Sequence, residues 1–149
     1  MNGAAFRAAM GQFATGVAVV TTRGPAGLTT NAVTSLSLDP ALVLVCLDRG
    51  SRTLAAVREH GRLAVNVLSA GQREIAVRFS GKAAHAEKFR DVAWHEEAGV
   101  PVLDEAVAWV AGPVTELLPG GDHEIAIVAA EAFAAPGGDP LIFHRGDYR

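Results

Sequence analysis

The sequence predicts a mainly β fold with a few short helices, in which antiparallel strands form a closed or sandwiched sheet. Many short segments are rich in apolar and β-branched residues, and Gly- and Pro-rich turns lie at residues 24–27, 119–122 and 136–140. Only three segments have helical periodicity, and they do not alternate with strands as βαβ units require.

The start of the chain predicts a short helix. Phe6, Met10 and Phe13 recur at helical spacing after Asn2, which can cap the helix, and Gly16 marks its expected end. We expect this helix to pack by its one apolar face.

A hairpin and a buried strand are predicted next. Residues 17–22 form the first arm and residues 28–38 the second arm, which ends at Asp39-Pro40. Residues 41–47 are nearly all apolar, which is typical of a strand covered on both faces.

The rest of the chain predicts a mixture of helices, strands and turns. Residues 51–61 indicate a helix with Ser51 as its cap and Gly61 at its end. Residues 80–91 have no clear period and predict a loop that can hold a short helix and act as a lid. The other predicted elements are a strand at 63–68, a helix at 71–79, an extended segment at 100–103, a long strand at 106–118, its return at 123–133 and a last strand at 141–144.

Composition favours one globular domain spanning residues 1–149, without a polyanionic partner. Half of the residues are apolar, 19% are charged, and the formal net charge is −3 with scattered basic residues, so we expect no nucleic-acid binding. The start lacks a signal-peptide pattern, and no run approaches about 18 apolar residues. We therefore expect a soluble cytoplasmic protein that does not bind a membrane, with its single cysteine, Cys46, buried.

The sequence contains no familiar catalytic or metal motif. It lacks a Rossmann fingerprint, a phosphate-loop lysine pattern, a His-Glu-x-x-His zinc motif and a nucleophile elbow. The acidic residues form no convincing catalytic pair, and His60, His85, His95 and His144 have no metal-ligand spacing. We expect no bound metal.

Two polar segments lie on either side of residues 41–47, and each has two interpretations. Gly50-Ser51-Arg52-Thr53 is either an ordinary helix start or a phosphate site with free backbone N–H groups at the positive end of a helix. The other segment is either a threonine-rich strand or the lining of a site for the polar edge of a fused ring. It comprises Thr29, Thr30, Asn31, Ala32, Val33, Thr34 and Ser35. Ring and phosphate sites at opposite ends of one strand would suit flavin mononucleotide (FMN).

Two later positions also have two interpretations. His123 is either a turn residue or a hydrogen-bond donor near a ring or nicotinamide. Lys88-Phe89 is either a solvated loop or a ligand clamp.

Taken together, these segments resemble the flavin reductase-like family, the small reductase components of two-component flavin-dependent monooxygenases. The resemblance spans nearly the whole chain and rests on the order and spacing of motifs that are weak singly. They are Phe6-Arg7, Phe13-Ala14-Thr15-Gly16-Val17, residues 28–40, Phe79-Ser80-Gly81, Lys88-Phe89, Gly120-Gly121-Asp122-His123 and Pro140-Leu141-Ile142-Phe143.

The resemblance implies an FMN-binding split β-barrel that forms a homodimer, with flavin near the subunit interface. It implies that residues 29–35 line the isoalloxazine ring and that residues 51–53 bind the phosphate. Asn66, Phe79 and Lys88-Phe89 are expected near the flavin, and His123 near the nicotinamide. Glu124 and Ala129-Ala130 depart from the family pattern, which has a small hydroxyl residue and a glycine there more often.

The leading hypothesis is an NAD(P)H-dependent flavin reductase, in which NADH or NADPH transfers hydride to FMN or FAD and the reduced flavin leaves for a partner oxygenase. Two alternatives stay open. One is a split-barrel flavoprotein that retains FMN and acts on another substrate, as pyridoxamine phosphate oxidases do. The other is a non-enzymatic module that binds flavin, haem or a protein. The choice between FMN and FAD, the choice between NADH and NADPH, and the identity of the oxygenase are left open as well.

Overall fold

The structure is a computed structural model that describes all 149 residues. None of its helices has the length and apolar character that crossing a membrane requires. The α-helices are α1 (Gly3–Met10), α2 (Arg52–His60), α3 (Arg73–Ser80) and α4 (His85–Lys88). The strands are β1 (Thr15–Gly16), β2 (Ala18–Thr22), β3 (Ala26–Thr30), β4 (Val33–Leu38), β5 (Ala41–Asp48), β6 (Arg62–Val67), β7 (Trp94–Glu97), β8 (Val100–Leu103), β9 (Ala108–Gly120), β10 (His123–Ala129), β11 (Ala132–Ala134), β12 (Ile142–His144) and β13 (Asp147–Tyr148).

One antiparallel sheet forms the body of the fold. Its strands run in the order β3-β2-β6-β9-β10-β5-β4, with β11 beside β9. The long strand β9 joins two half-sheets, because its first half pairs with β6 and its second half pairs with β10. The half-sheets pack face to face, since Val20 and Val65 of one share a core with Val45 and Val128 of the other. This curled sheet confirms the predicted mainly β, antiparallel split barrel.

Close contact between β9 and the end of β10 depends on Gly112. A Cβ at this position would overlap the carbonyl oxygen of Ala129. The glycine that permits the approach therefore lies on β9, opposite the Ala129-Ala130 pair that departs from the family pattern.

Helix α2 packs into the interior of the barrel. Leu54 and Val57 lie one turn apart and are fully buried in the main core. The Ser51 hydroxyl accepts a hydrogen bond from the N–H of Leu54 (3.0 Å), and Gly61 ends the helix in the left-handed conformation (φ 78°). Both predicted ends of this helix are confirmed.

A second core lies on the other face of β2, beneath α3 and α4. Alternation along the strand sends Val19 into this core and Val20 into the barrel. The rings of Phe79 and Phe89 meet edge to face here, with centroids 4.9 Å apart. Gly27 permits this packing, because a Cβ there would come within 3.1 Å of the Phe79 ring.

Two predictions for the first 40 residues are wrong. Helix α1 ends at Met10 instead of near Gly16, since residues 15–16 pair with β12, and none of its residues is buried. The predicted hairpin arm at 28–38 is two strands, because the chain crosses between half-sheets at Asn31-Ala32. Strand β3 pairs with β2, whereas β4 pairs with β5.

Three later predictions also need correction. Strand β5 is less covered than expected, with only Val45 and Leu47 buried and Cys46 half-buried, because the helices pack on the β2–β3 side. The return strand predicted at 123–133 ends at Ala129, and β11 then pairs with the other half of β9. Strand β7, which pairs with β8, had no counterpart among the predicted elements.

Candidate functional site

Two neighbouring cavities lie where β3, β4 and β5 meet. They share Thr30 and Cys46, and the Thr30 hydroxyl donates to the carbonyl oxygen of Cys46 (3.4 Å). The cationic cavity has a volume of about 570 Å³ and is also lined by Leu28, Thr29, Asp48, Gly50, Ser51, Arg52, Thr53, Phe79, Ser80, Gly81, Lys82, His85, Lys88 and His123. The apolar cavity has a volume of about 670 Å³ and is also lined by Met10, Phe13, Thr15, Gly16, Val17, Ala18, Asn31, Ala32, Val33, Thr34, Leu44 and Val67.

The N-terminus of α2 forms one wall of the cationic cavity. The Ser51 hydroxyl is used as the helix cap, whereas the backbone N–H groups of Arg52 and Thr53 make no hydrogen bond. The first turn of a helix carries a partial positive charge. This wall therefore presents free donors and a positive potential to an anion.

Basic side chains that form no ion pair surround the rest of the cationic cavity. Arg52, Lys82, His85 and Lys88 take part in none of the ion pairs of the structure. Asp48 is the one carboxylate in the lining, and its Oδ1 accepts from the N–H of Gly50 (2.8 Å). The cavity is thus suited to a multiply charged anion.

Two of these basic groups are bonded to neutral carbonyl oxygens. Lys88 is 4% exposed, and its ammonium donates to the carbonyl oxygen of Gly27 (3.0 Å). Burial, together with the nearby charge of Arg52, lowers the pKa of Lys88. Arg52 Nη2 donates to the carbonyl oxygens of Lys82 (2.9 Å) and Ala83 (2.6 Å).

His123 lies at the rim of the cationic cavity, at the start of β10. Its Nδ1 is 2.7 Å from Asp122 Oδ1, and this hydrogen bond lowers the pKa of Asp122. Because Asp122 is therefore a carboxylate, it accepts this bond from Nδ1, and Nε2 has no protein partner. Next to it, Glu124 pairs with Arg58 (2.8 Å) and Arg49 (3.6 Å), which neutralises charge outside the cavity.

The apolar cavity has a narrow polar edge. Residues 31–32 lie between strands, the N–H of Ala32 donates to the Thr30 hydroxyl (3.1 Å), and the Asn31 amide donates to the Thr15 hydroxyl (3.2 Å). Met10 and Phe13 also line this cavity and are 57% and 73% exposed. This arrangement suits a flat, largely apolar ring with hydrogen-bonding groups on one side.

The structure brings most of the predicted site residues to these cavities. Thr29, Thr30, Ser51, Arg52, Thr53, Phe79, Lys88 and His123 line the cationic cavity, and Thr30, Asn31, Ala32, Val33 and Thr34 line the apolar cavity. The expectation of two sites at opposite ends of one strand is wrong. Antiparallel pairing places Val33 beside Val45, near the same end of β5 that leads to Ser51.

Three predicted site residues lie outside both cavities. The Asn66 side chain is fully buried, and all its bonds are internal: it donates to Val19 O (2.9 Å) and Thr21 Oγ1 (3.0 Å) and accepts from Leu103 N (2.9 Å). The side chain therefore has a role in the core, and the expected place of Asn66 near the flavin stays a prediction. Phe89 packs behind Phe79, and Ser35 is exposed on β4.

Several lining residues were missed as site residues by the sequence analysis. Cys46 was assigned only a buried role, and His85 was considered only as a metal ligand. No local signal marks Asp48 or Lys82, since only the packing of α4 and β5 brings them to the cavity. No group of three or more His, Cys, Asp or Glu side chains is placed to hold a metal ion.

The chain is similar to flavin reductases in sequence. The family described as flavin reductase like domain matches residues 10–149. The reductase subunit HsaB of a flavin-dependent monooxygenase from Mycobacterium tuberculosis is 37% identical, over 96% of this chain and 79% of that protein. A flavin reductase (NADH) from Kitasatospora aureofaciens is 41% identical, over 99% of this chain and 81% of that protein.

Solved structures agree with this similarity. The NADH:FAD oxidoreductase SgcE6 of Streptomyces globisporus, in complex with NAD and FAD fragments, has a TM-score of 0.90 and 35% identity, over 97% of this chain and 89% of that chain. A putative flavin reductase from Haemophilus somnus has a TM-score of 0.96 and 27% identity, over 100% of this chain and 99% of that chain. The chain belongs to the flavin reductase-like family.

Proposed function

We propose that this protein is an NAD(P)H-dependent flavin reductase that uses FMN or FAD and supplies reduced flavin to a partner oxygenase. The observation that carries the proposal is the shared wall between a cavity of uncompensated positive charge and an apolar cavity with a polar edge. FMN has a matching division, since its phosphate and its ring lie at opposite ends of one molecule.

The cationic cavity fits the phosphate end. The free N–H groups of Arg52 and Thr53 and the charges of Arg52 and Lys88 converge there. A phosphate carries a charge of about −1.5 to −2 near neutral pH and three strong acceptor oxygens. Because bonds to a charged acceptor are about twice as strong as neutral ones, phosphate displaces the carbonyl oxygens that now occupy Arg52 and Lys88.

The apolar cavity fits the ring end. Its volume falls within the roughly 300–1,000 Å³ of ordinary ligand sites, and most of its lining is apolar. Residues 30–34 supply the polar edge, and Val17, Leu44 and Val67 exclude water from one side. A partner nicotinamide would occupy the remaining open side.

The protein's part in the reaction is to bind and orient. The chemistry supplied by a bound flavin is acceptance of hydride from reduced nicotinamide, which needs no protein nucleophile or general base. His123 donates its Nδ1 proton to Asp122 and leaves Nε2 without a protein partner at the cavity rim. Nε2 is therefore available to the carboxamide of nicotinamide, so we assign His123 a role in orienting the co-substrate.

A second copy of the chain completes the apolar cavity in this proposal. Helix α1 has no buried residue, and Phe6, Met10 and Phe13 are 60%, 57% and 73% exposed. Met10 and Phe13 also line the apolar cavity. A homodimer that covers this apolar face would exclude water from the ring site.

The proposed oxygenase partner is supported by relatives. HsaB is named as a reductase subunit, and a Rhodococcus opacus relative, 38% identical over 99% of this chain and 80% of that protein, is named as the reductase component of a 4-nitrophenol monooxygenase. We place this chain in the same kind of two-component system.

One steady-state assay tests the activity. Purified protein is combined with FMN or FAD and with NADH or NADPH, and loss of absorbance at the nicotinamide band is followed. We expect flavin-dependent turnover in at least one combination. No oxidation in any of the four combinations would contradict the proposal.

A double variant, compared with a control variant, tests the phosphate site. Replacing Ser51 and Thr53 with alanine should raise KM for flavin about tenfold or more, because both residues shape the N-terminus of α2. Thr115→Ala is a matched control on β9, where its hydroxyl bonds only to Ile127 O. An unchanged KM for flavin in a folded double variant would contradict phosphate binding at this site.

A further inference from the structure

Segment 82–88 is held over the cationic cavity by polar contacts with neutral backbone groups. Arg52 donates to the carbonyl oxygens of Lys82 and Ala83, and Lys88 donates to that of Gly27. The N–H of the same Gly27 donates to His85 Nδ1 at 3.4 Å. The backbone N–H and carbonyl groups of Gly27 therefore both hold α4 against the edge strand β3.

His85 is neutral in this arrangement. Because Nδ1 accepts a hydrogen bond, the ring proton lies on Nε2. Desolvation lowers the pKa of His85, and the charges of Lys88 and Arg52 lower it further. Other titratable side chains lining the same cavity are Asp48, Lys82 and His123.

The bond that keeps His85 neutral is weak. At 3.4 Å it is longer than the 2.7–3.2 Å typical of N–H hydrogen bonds. A proton on Nδ1 would place two donors against each other, so the imidazolium must leave Gly27 N–H and find a new acceptor. The cationic cavity holds no acid for it other than Asp48.

We propose that His85 is a positioning residue for the flavin phosphate: it takes up one proton from solvent as the phosphate enters, and the imidazolium then binds the phosphate beside Arg52 and Lys88. This inference rests on the proposed function. The proton adds to Nδ1, the contact with Gly27 N–H breaks, and a charge-assisted bond to a phosphate oxygen replaces it. Flavin binding and proton uptake are therefore linked.

The sign of the linkage follows from the charges. A bound dianion favours the charged imidazolium and therefore raises the pKa of His85. Between the free and bound pKa values, binding consumes protons, so affinity for FMN increases as the pH falls through that window. Riboflavin, which lacks the phosphate, should show no such effect.

Calorimetric titration with FMN tests the inference at pH 7.0 in two buffers of different ionisation enthalpy. The difference in binding enthalpy gives the number of protons taken up. We expect net proton uptake on FMN binding, because the free ring is mostly neutral at this pH and the bound anion shifts it toward the charged form. His85→Gln should lose this uptake, and His144→Gln, which lines neither cavity, should keep it. The phosphate itself, with a second pKa of about 6, contributes little, and its contribution is the same in all three proteins.

The outcomes separate the two proposals. Tighter binding of FMN than riboflavin, with no uptake or with equal uptake in His85→Gln, would overturn the role of His85 and leave the flavin site intact. Equal affinity for FMN and riboflavin, or no binding of FMN, would overturn the role of His85, whereas the four-combination turnover assay decides the reductase activity separately. Proton uptake that occurs with FMN but not with riboflavin, and only in proteins that retain His85, supports both the flavin site and the role of His85.

Discussion

Two buried polar side chains, Asn66 and Lys88, show how differently the interior near β2 and the cationic cavity are built. The Asn66 amide bonds to Val19 O, Thr21 Oγ1 and Leu103 N, so its donors and its acceptor have partners inside the protein. Lys88 is nearly as buried, yet its charged ammonium has a single neutral carbonyl as partner.

The difference indicates what each group contributes. A polar group with a complete set of internal bonds stabilises one arrangement of strands, here β2, β6 and β8. A buried charge with one neutral partner costs free energy and is relieved only when an anion arrives. We therefore expect Asn66 to govern stability and Lys88 to govern ligand binding.

The largest expected effect is on stability at Asn66. Asn66→Ala leaves Leu103 N–H and Val19 O without their partner in the core, which should lower the free energy of unfolding by about 3 kcal/mol. Urea denaturation measures this change. An Asn66→Ala variant that kept its stability but lost FMN affinity would contradict the role of Asn66 in stability.

Lys88 should show the opposite pattern. Lys88→Met removes a buried charge but keeps an apolar stem, so the free energy of unfolding should stay the same or rise. FMN affinity should fall about 10- to 100-fold through loss of a charge-assisted bond. Fluorescence titration measures the affinity, and riboflavin is the control, because its affinity should not change. A parallel loss for riboflavin would place Lys88 near the ring instead.

A smaller effect is expected from pH in the ligand-free protein. The folded pKa of His85 lies below its ordinary value of 6.5, so the unfolded chain binds more protons between these values. The His85 contribution therefore lowers stability as the pH falls through 6.5. Unfolding at pH 7.5 and 5.5 should show a smaller drop for His85→Gln than for the parent chain. An equal drop would mean that His85 keeps its ordinary pKa.

The smallest effect is expected outside both regions, at Glu124. Its two arginine partners are about half exposed, so Glu124→Gln should cost roughly 0.5 kcal/mol. FMN affinity should not change, because both arginines lie outside the cavity lining. Thermal unfolding and an FMN titration check both statements. Glu74→Gln, in a more exposed pair with Arg78, is the control and should cost less. A clear change in FMN affinity would show that Arg49 and Arg58 also take part in FMN binding.

Local chemistry explains what could be predicted. The cap at Ser51, the glycine at Gly61 and the spacing of Leu54 and Val57 define α2 within a few residues, so its N-terminus could be singled out as a candidate anion site. The motif order also indicated the family, and with it the split barrel.

Strand register explains what could not be predicted. Asn66 faces the core because β6 pairs with β2 at Val19, and no local signal distinguishes this from a ligand contact. His85 reaches the cavity only because α4 packs on β3. The two cavities adjoin because β4 folds back along β5, which moved the two predicted sites from opposite ends of a strand to a shared wall.

The central claim is that one flavin spans both cavities, with its phosphate in the cationic one. A crystal structure of the protein with FMN tests this most directly. The account predicts the phosphate within hydrogen-bond reach of Arg52, Lys88 and the free N–H groups of α2, and the ring beside Asn31-Ala32. A phosphate outside the cationic cavity, with Lys88 still bonded to Gly27, would contradict it.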